Sequence, residues 1–297
     1  MNLQQLRCVR EVIRQGFNLT QAASVLFTSQ PGVSKVIIDF EGELGFDVFV
    51  RHGKRVKGLT PEGERLLPSI DAVLQGMLNL RNVAAECKNP NQGRLTIATT
   101  HTQARYALPA VIAQFRVRYP DVRLSLLQGA PTQIAQMVLS GQADIAVATE
   151  AIAITEGLTA TPCYEWQHKI LLPKNHPLNH EPLTVAALAA YSIVTYEPAF
   201  SGRGKIDAAF AAAHVVPDIV LEAIDADVIR TYVEIGLGVG ILAGMALDKM
   251  PADGDLIAID AGVLFGSNTT FAAMRTDRYV REYERVFIEL LTLEFGQ

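Results

Sequence analysis

Five consecutive residues, Thr99-Thr100-His101-Thr102-Gln103, place three hydroxyls, an imidazole and an amide in one short run. Each can donate a hydrogen bond while neutral. They follow the β-type run Leu95-Thr96-Ile97-Ala98 and precede a helical pattern that begins near Pro109. The first N–H groups of a helix lack intrahelical partners, and the helix dipole favours negative charge there. Neutral donors at such a point suit a small oxyanion or a polar zwitterion, because fixed dipoles can hold a permanent anion without a buried cation. Thr149 ends a second strand-like run, "ADIAVAT", and Ser201 sits in "EPAFSGRG" ahead of another helical pattern. Any one of these threonines reads first as a helix cap. The set Thr99, Thr100, His101, Thr102, Gln103, Thr149 and Ser201 reads as a ligand site.

Catalysis fits these residues poorly. His101 beside Thr99 and Thr100 could do acid–base work, yet the chain offers no recognisable nucleophile–base–acid set. It has no Gly-rich phosphate loop before that helix and no cluster with metal-ligand spacing. The three cysteines, Cys8, Cys87 and Cys163, are an odd number without metal-type spacing. Reduced, mostly buried thiols are expected. The expectation is a binding protein rather than an enzyme, with neither cofactor nor metal.

The elements that must position these donors alternate in type. After residue 93, strand-like runs ("RLTIATT", "DVRLSLLQG", "ADIAVATE", "HKILLP", "YSIVTY", "DIVLEAI", "VGILAG", "GSNTTFAAMR") are interleaved with helical patterns. The helical ones are 109–119, "PTQIAQMVLSG", "GKIDAAFAAAH", "ADVIRTYVEIGLG" and 277–295. Alternation of this kind predicts parallel α/β sheet. Two such units with the chain crossing between them leave a cleft, and ligands in α/β sheets bind beyond the carboxyl ends of the strands.

A different unit precedes this body. In "NLTQAASVLFTSQPGVSKVIIDFEGELG", Asn18 or Thr20 can cap a short helix, and Ala22 and Ala23 let a second helix cross closely. Ser29 can cap the next helix, with Pro31 in its first turn, where a missing N–H costs nothing. Val33, Ile37 and Phe40 recur at helical spacing. The pattern predicts a helix-turn-helix whose second helix enters a DNA major groove, or alternatively an ordinary helical hairpin with solvated polar residues. Thr28, Ser29, Gln30, Pro31, Ser34 and Lys35 would then meet bases and phosphates. "VFVRHGKRVKGLTPEG" reads as a β-hairpin wing with a basic tip, adding Arg51, Lys54 and Arg55 as phosphate contacts.

Between head and body, Leu66, Ile70, Val73, Met77 and Leu80 recur at steps of four and three, the seam of a helix that pairs with another. Packing against its own domain is the alternative, and Pro68 is an irregularity near its start. "CKNPNQG", residues 87–93, breaks that helix. The domains expected are a head over 1–60, a linker helix and hinge over 61–92, and a body over 93–297. The body divides into subdomain I, about 93–163 with 267–297, and subdomain II, about 164–266.

The totals agree with this division. The chain has 297 residues, 49% of them hydrophobic and 19% charged, enough to bury more than one core. Its net charge of −5 is uneven: residues 1–60 carry eight Lys/Arg against five Asp/Glu, so the head is basic and the rest acidic. No apolar run approaches the ~20 residues of a membrane span, and the opening MNLQQLRCVREV lacks an apolar signal core. A cytoplasmic protein without membrane partners is expected, which argues against a solute-binding transport protein.

The chain resembles the LysR-type transcriptional regulators over its whole length. "QAASVLFTSQPGVSKVIIDFEGELGFDVFVR" and "LTPEG" carry the resemblance in the head, together with the α/β body. "IATTHTQARYALP", "GAPTQIA", "ATEA", "DADVI" and "GLGVG" make it most similar to the CysB/Cbl subgroup, which controls sulfur assimilation. The resemblance implies an α/β protein with an N-terminal winged helix-turn-helix, a linker helix and a periplasmic-binding-protein-like effector domain of two subdomains. It implies a homodimer or homotetramer on double-stranded DNA, with RNA polymerase an allowed further partner. It implies an effector such as sulfate, thiosulfate, adenosine phosphosulfate, or O- or N-acetylserine. The subgroup's anion-binding residues match Thr100, Thr102, Gln103 and Thr149. Ser201 stands where the subgroup usually has threonine in Phe-Thr-Gly-Arg, keeping the hydroxyl and losing a methyl. Ile37 and Ile38 depart from the more polar recognition helix usual in the family. A LysR-type regulator of another pathway, answering a different small anion, is the alternative reading.

Overall fold

The computed structural model describes residues 1–53, 55–200, 202–248, 250 and 254–295. The chain divides into two compact units, one of residues 1–87 with 277–279, the other of 88–276 with 280–297.

The first unit begins with α1 (Leu3–Arg14), α2 (Leu19–Val25) and α3 (Gln30–Leu44). Asn18 caps α2 by accepting from the Thr20 and Gln21 amides, both at 3.1 Å. Ser29 caps α3 by accepting from Gly32 N at 3.2 Å, and Pro31 lies in the first turn. Val9, Val12, Ala22, Val33, Ile37 and Phe40 close a core between the three helices. Ile37 is therefore a core residue and takes nothing from the recognition surface, whereas Ile38 is exposed. The hairpin of β1 (Phe49–His52) and β2 (Arg55–Leu59) forms the wing.

Buried Glu41 ties the wing to the helices. Its Oε1 accepts from Val48 N at 2.8 Å and Phe49 N at 3.0 Å, while Arg51 donates to its Oε2 at 2.6 Å. Arg51, expected to meet phosphate, is instead half-buried in this pair, because removing a carboxylate from water is costly unless a cation and donors replace the water.

The helix α4 (Pro61–Lys88) runs unbroken through Pro68 and belongs to the first unit. Its proposed pairing seam divides in two. Ile70 is buried in the head's own core and Leu66 packs against it, so these two residues hold the helix to its domain. Val73 and Leu80 are exposed, and half-buried Met77 receives Arg7 at 3.3 Å.

The second unit is two α/β layers sharing long strands. Its elements are β3 (Gly93–Thr99), α5 (Leu108–Arg118), β4 (Val122–Gln128), α6 (Pro131–Leu139), β5 (Ile145–Thr149) and β6 (Leu158–Pro173). The short α7 (Val185–Leu188), then β7 (Ser192–Tyr196), α8 (Arg203–Ala212), β8 (Asp218–Ala223) and α9 (Ala226–Glu234) follow. The last are β9 (Val239–Ala243), β10 (Leu256–Asp260), α10 (Gly262–Phe265), β11 (Ser267–Arg275) and α11 (Glu282–Phe295). Strand order is β4-β3-β5-β11-β6-β9-β7-β8, with β10 also on β6. The pairs within β3, β4 and β5, and within β7, β8 and β9, are parallel, as the alternating pattern predicts. Antiparallel β6 and β11 cross between the halves.

Sequence pattern suggests a strand only from His168, but β6 begins ten residues earlier. It pairs with β11 up to Gln167 and with β9 from His168. β10 and the two one-turn helices α7 and α10 are further elements that the hydrophobic pattern does not announce. Among the described residues no helix is long and apolar enough to cross a membrane.

Replacing Glu41 with alanine should strand two buried amides and Arg51, destabilising the protein by about 2–4 kcal/mol. Urea unfolding of Glu41→Ala against the parent protein measures this, with Glu41→Gln expected to fall between them.

Candidate functional site

The carboxyl ends of β3 and β5 lie side by side, with Thr99 level with Val147. Thr99 is wholly buried and its hydroxyl donates to Val147 O at 2.8 Å. Expected at the ligand site, it is instead a bridge inside the sheet: β-structure alternates its faces, and this side chain falls on the packed one. The residues after it leave the strand. Thr100 is buried, and its hydroxyl lies 3.5 Å from Gln103 N, a loose cap that leaves it able to donate elsewhere. Thr102 is buried, and its hydroxyl, which faces the Tyr196 phenol, has no hydrogen-bond partner in bonding geometry among the described residues.

The chain then makes one turn of π-helix, Gln103–Ala107, before α5. Gln103 is buried, its amide donating to Thr270 Oγ1 at 3.2 Å and its carbonyl accepting from Tyr164. Burial pushes the Tyr164 phenol above its ordinary range, so it stays protonated and donating. Burial also pushes Tyr196 up to about 12; it accepts from Ala243 N at 3.2 Å and faces Thr102.

The same turn reaches the start of α9. Arg105 pairs with Asp227 at 2.7 Å, and Tyr106 donates to the other Asp227 oxygen at 2.8 Å. His101, half-buried, has ligand atoms within 4.8 Å of those of Asp225 and Asp227. Asp225 caps α9 through Val228 N at 2.9 Å. Asp227 is thus engaged at both oxygens and Asp225 at one, and the group joins the two halves of the body.

Thr149 is buried at the end of β5, opposite Thr270 of β11. It lines a cleft cavity of about 290 Å³ together with Glu150, Phe200, Gly202, Lys205 and Asn268. Pro131 and Arg203, the first residues of α6 and α8, also line it. Two helix N-termini therefore open on the cavity and favour negative charge there. Lys205 donates to Ser267 O and to Glu150 Oε1, the latter at 3.2 Å, and Glu150 Oε1 also accepts from Thr269 N at 2.8 Å. The Arg203 guanidinium is buried and turned away, held by Tyr196 O at 2.5 Å and by Asp207 and Glu222 at 2.7 Å.

The structure thus brings Thr100, Thr102, Gln103 and Thr149 to one edge of the sheet and removes Thr99 from it. Ser201 falls outside the described residues. Glu150, Gly202, Lys205 and Asn268 were missed because each sits alone in sequence, without a repeating pattern. "GSNTT" is the one polar break in its strand and is the signal that could have located Asn268.

In the first unit, Thr28, Ser29, Gln30, Pro31 and Lys35 are exposed and Ser34 is half-exposed at the start and outer face of α3. Gln30 and exposed Arg55 line one groove with Asn18 and Thr20, joining recognition helix and wing. Lys54 falls outside the described residues.

A family profile described as "LysR substrate binding domain" matches residues 88–296, and one described as "Bacterial regulatory helix-turn-helix protein, lysR family" matches residues 3–64. The chain is 53% identical to the HTH-type transcriptional regulator CysB of Burkholderia cenocepacia, over 98% of this chain and 93% of that protein. It is 50% identical to the regulator SsuR of the same organism, over 98% and 94%. The crystal structure of the cofactor-binding domain of the Cbl transcriptional regulator superposes with a TM-score of 0.66 at 43% identity, covering 68% of this chain and 89% of that one.

The division between Thr99 and its neighbours has a direct test. Thr99→Val should cost about 1 kcal/mol by removing its side-chain bond to the Val147 carbonyl while leaving ligand affinity unchanged, as read by urea unfolding and by calorimetric titration with sulfate.

A helix-turn-helix head and an effector-type α/β body, each matched by its own profile, place the chain in the LysR family of bacterial transcriptional regulators.

Proposed function

We propose that this regulator controls genes of sulfur assimilation or organosulfur utilisation, gated by a small effector held in the cleft between the two halves of its α/β body. The observation that carries the proposal is the set of buried neutral donors at the carboxyl ends of β3 and β5, with the Thr102 hydroxyl unpartnered among the described residues and the Thr100 hydroxyl only loosely engaged. An unbonded buried hydroxyl is costly, and a ligand oxygen would remove that cost. The relatives named CysB, SsuR and Cbl support a sulfur-containing or serine-derived effector, with sulfate, thiosulfate, adenosine phosphosulfate, O-acetylserine and N-acetylserine as candidates.

On the DNA side, Thr28, Ser29, Gln30, Pro31, Ser34 and Lys35 of the recognition helix and Arg55 of the wing contact the operator. Val73 and Leu80 supply exposed apolar positions of α4 for pairing with a second copy, in a homodimer or homotetramer. RNA polymerase is the downstream partner, and the protein works in the cytoplasm without cofactor or metal. The effector acts by population shift: it binds one cleft geometry better and so biases the assembly on DNA.

The double variant Thr100→Val/Thr102→Val should keep operator affinity and lose its response to effector, read by DNA-binding titration with and without sulfate and the acetylserines. An unchanged effector response would overturn the site. Lys35→Ala should weaken operator binding and reduce the slope of log affinity against log salt by about 0.9; an unaltered slope would remove Lys35 from the phosphate contacts.

A further inference from the structure

The turn that joins α2 to α3 is closed by two backbone bonds. Phe27 N donates to Ser24 O at 3.2 Å, and Thr28 N donates to Ala23 O at 2.9 Å. This pairing ends α2 in a Schellman motif, which puts the residue after the cap in the left-handed conformation. Phe27 is that residue, with φ of +52°. Glycine usually fills such a position, because a β-carbon there crowds the following carbonyl. The ring recovers none of this cost by packing, since Phe27 is 98% exposed. A single exposed apolar side chain is ordinary on a protein surface. One held in strained backbone, where glycine would cost less, points to function.

The place of the turn says what covers the ring. Buried Ala23 and Val33 fix the turn between the two helices. Three residues beyond Phe27, Gln30 opens α3, and Thr28, Ser29, Gln30 and Pro31 are all exposed. The first residues of a recognition helix meet base edges, so a ring just ahead of Gln30 stands at the wall of the same groove. A phenyl ring cannot hydrogen-bond a base edge. The major groove presents one apolar group that gains by being covered, the C5-methyl of thymine.

We propose that Phe27 is a specificity-determining residue of the DNA-reading head, its ring packing on the methyl of a thymine beside the bases met by Gln30. The inference rests on α3 being the helix that enters the groove. It adds to the operator a base position read by shape and apolar contact rather than by hydrogen bonds. Because the contact releases no counterions, it adds affinity without adding to the salt dependence. In this it differs from Lys35.

The test uses the full-length protein and a duplex that the parent selects from a random DNA pool. Phe27→Ala removes the ring and keeps the β-carbon, while Phe27→Gly also frees the backbone. Both should bind the duplex about tenfold more weakly, with the slope of log affinity against log salt unchanged. Phe27→Gly should unfold at a higher urea concentration than the parent, which also reports an intact head. Replacing the thymines one at a time by deoxyuridine, which lacks the methyl, should find a position that matters. There the parent should lose about fourfold and the Phe27 variants nothing. Parent-like binding by both variants overturns the proposal. So does a parent-to-variant ratio that stays the same on every deoxyuridine duplex, because that places the ring on the sugar–phosphate backbone. A Phe27→Gly protein less stable than the parent removes the strain and overturns it as well. Parent-like binding by Gln30→Ala and Lys35→Ala instead overturns the reading of α3 beneath it.

Discussion

The antiparallel passage of β6 and β11 between the two halves of the body is the constraint on which the site depends. Parallel strands end at the same edge, so β3 and β5 deliver Thr100 and Thr149 together. Neither strand reaches the other half. β6 does, pairing with β11 up to Gln167 and with β9 from His168, and β11 joins it to β5 by pairing Thr270 with Thr149 on one side and Tyr164 on the other. Thr270 then receives Gln103, while the neighbouring Thr269 amide fixes Glu150. The floor of the cleft is thus a crossing strand whose register sets the height of every polar group around it. β6 changes partner between Gln167 and His168. One strand belongs to both layers, so a change in the angle between the halves must be absorbed along its length and that of β11.

Polar groups at this edge fall into two classes, and the difference decides which of them recognises a ligand. Gln103 has both ends of its amide bonded, to Thr270 and Tyr164, and Thr99 is bonded to the sheet. Bonded groups hold geometry. The Thr102 hydroxyl and the Asn268 carbonyl are buried without partners among the described residues, and such groups cost free energy until something supplies the missing bond. A rigid bonded layer beneath an unbonded one is a preorganised site, because the ordering cost is met during folding rather than on binding. Gln103, despite its place in the donor run, belongs to the bonded class and holds the π-helical turn in place.

How much of this was legible from sequence depended on how local each signal is. The caps Asn18 and Ser29, with Pro31 behind the second, are satisfied within three residues of chain, so the helix-turn-helix could be read directly. The donor run at 99–103 was readable as a strand end for the same reason. The first ten residues of β6 were not: "LTATPCYEWQ" alternates weakly, and Pro162 argues against a strand. Its strand character comes from β11, more than a hundred residues away. Arg51 looked like a phosphate contact because its partner Glu41 is only evident once the wing folds back. Leu66 and Ile70 fitted a heptad because helix spacing cannot say which neighbour covers a face, and here the head's own core does.

The helix-turn-helix and the cleft belong to separate compact units, and the proposed effector would bind only the second of them. It must act through an equilibrium between arrangements, and a ligand shifts such an equilibrium only by its difference in affinity for them. A pocket confined to one rigid layer would have the same geometry in each arrangement and would supply no difference. This cleft is lined by Thr149 and Glu150 from one half and by Phe200, Gly202 and Lys205 from the other. Arg105 and Tyr106 on one side already grip Asp227 on the other. Any change in the angle between the halves alters these distances together. Affinity for a ligand that spans the cleft therefore varies with that angle, and this variation is the free energy available for switching.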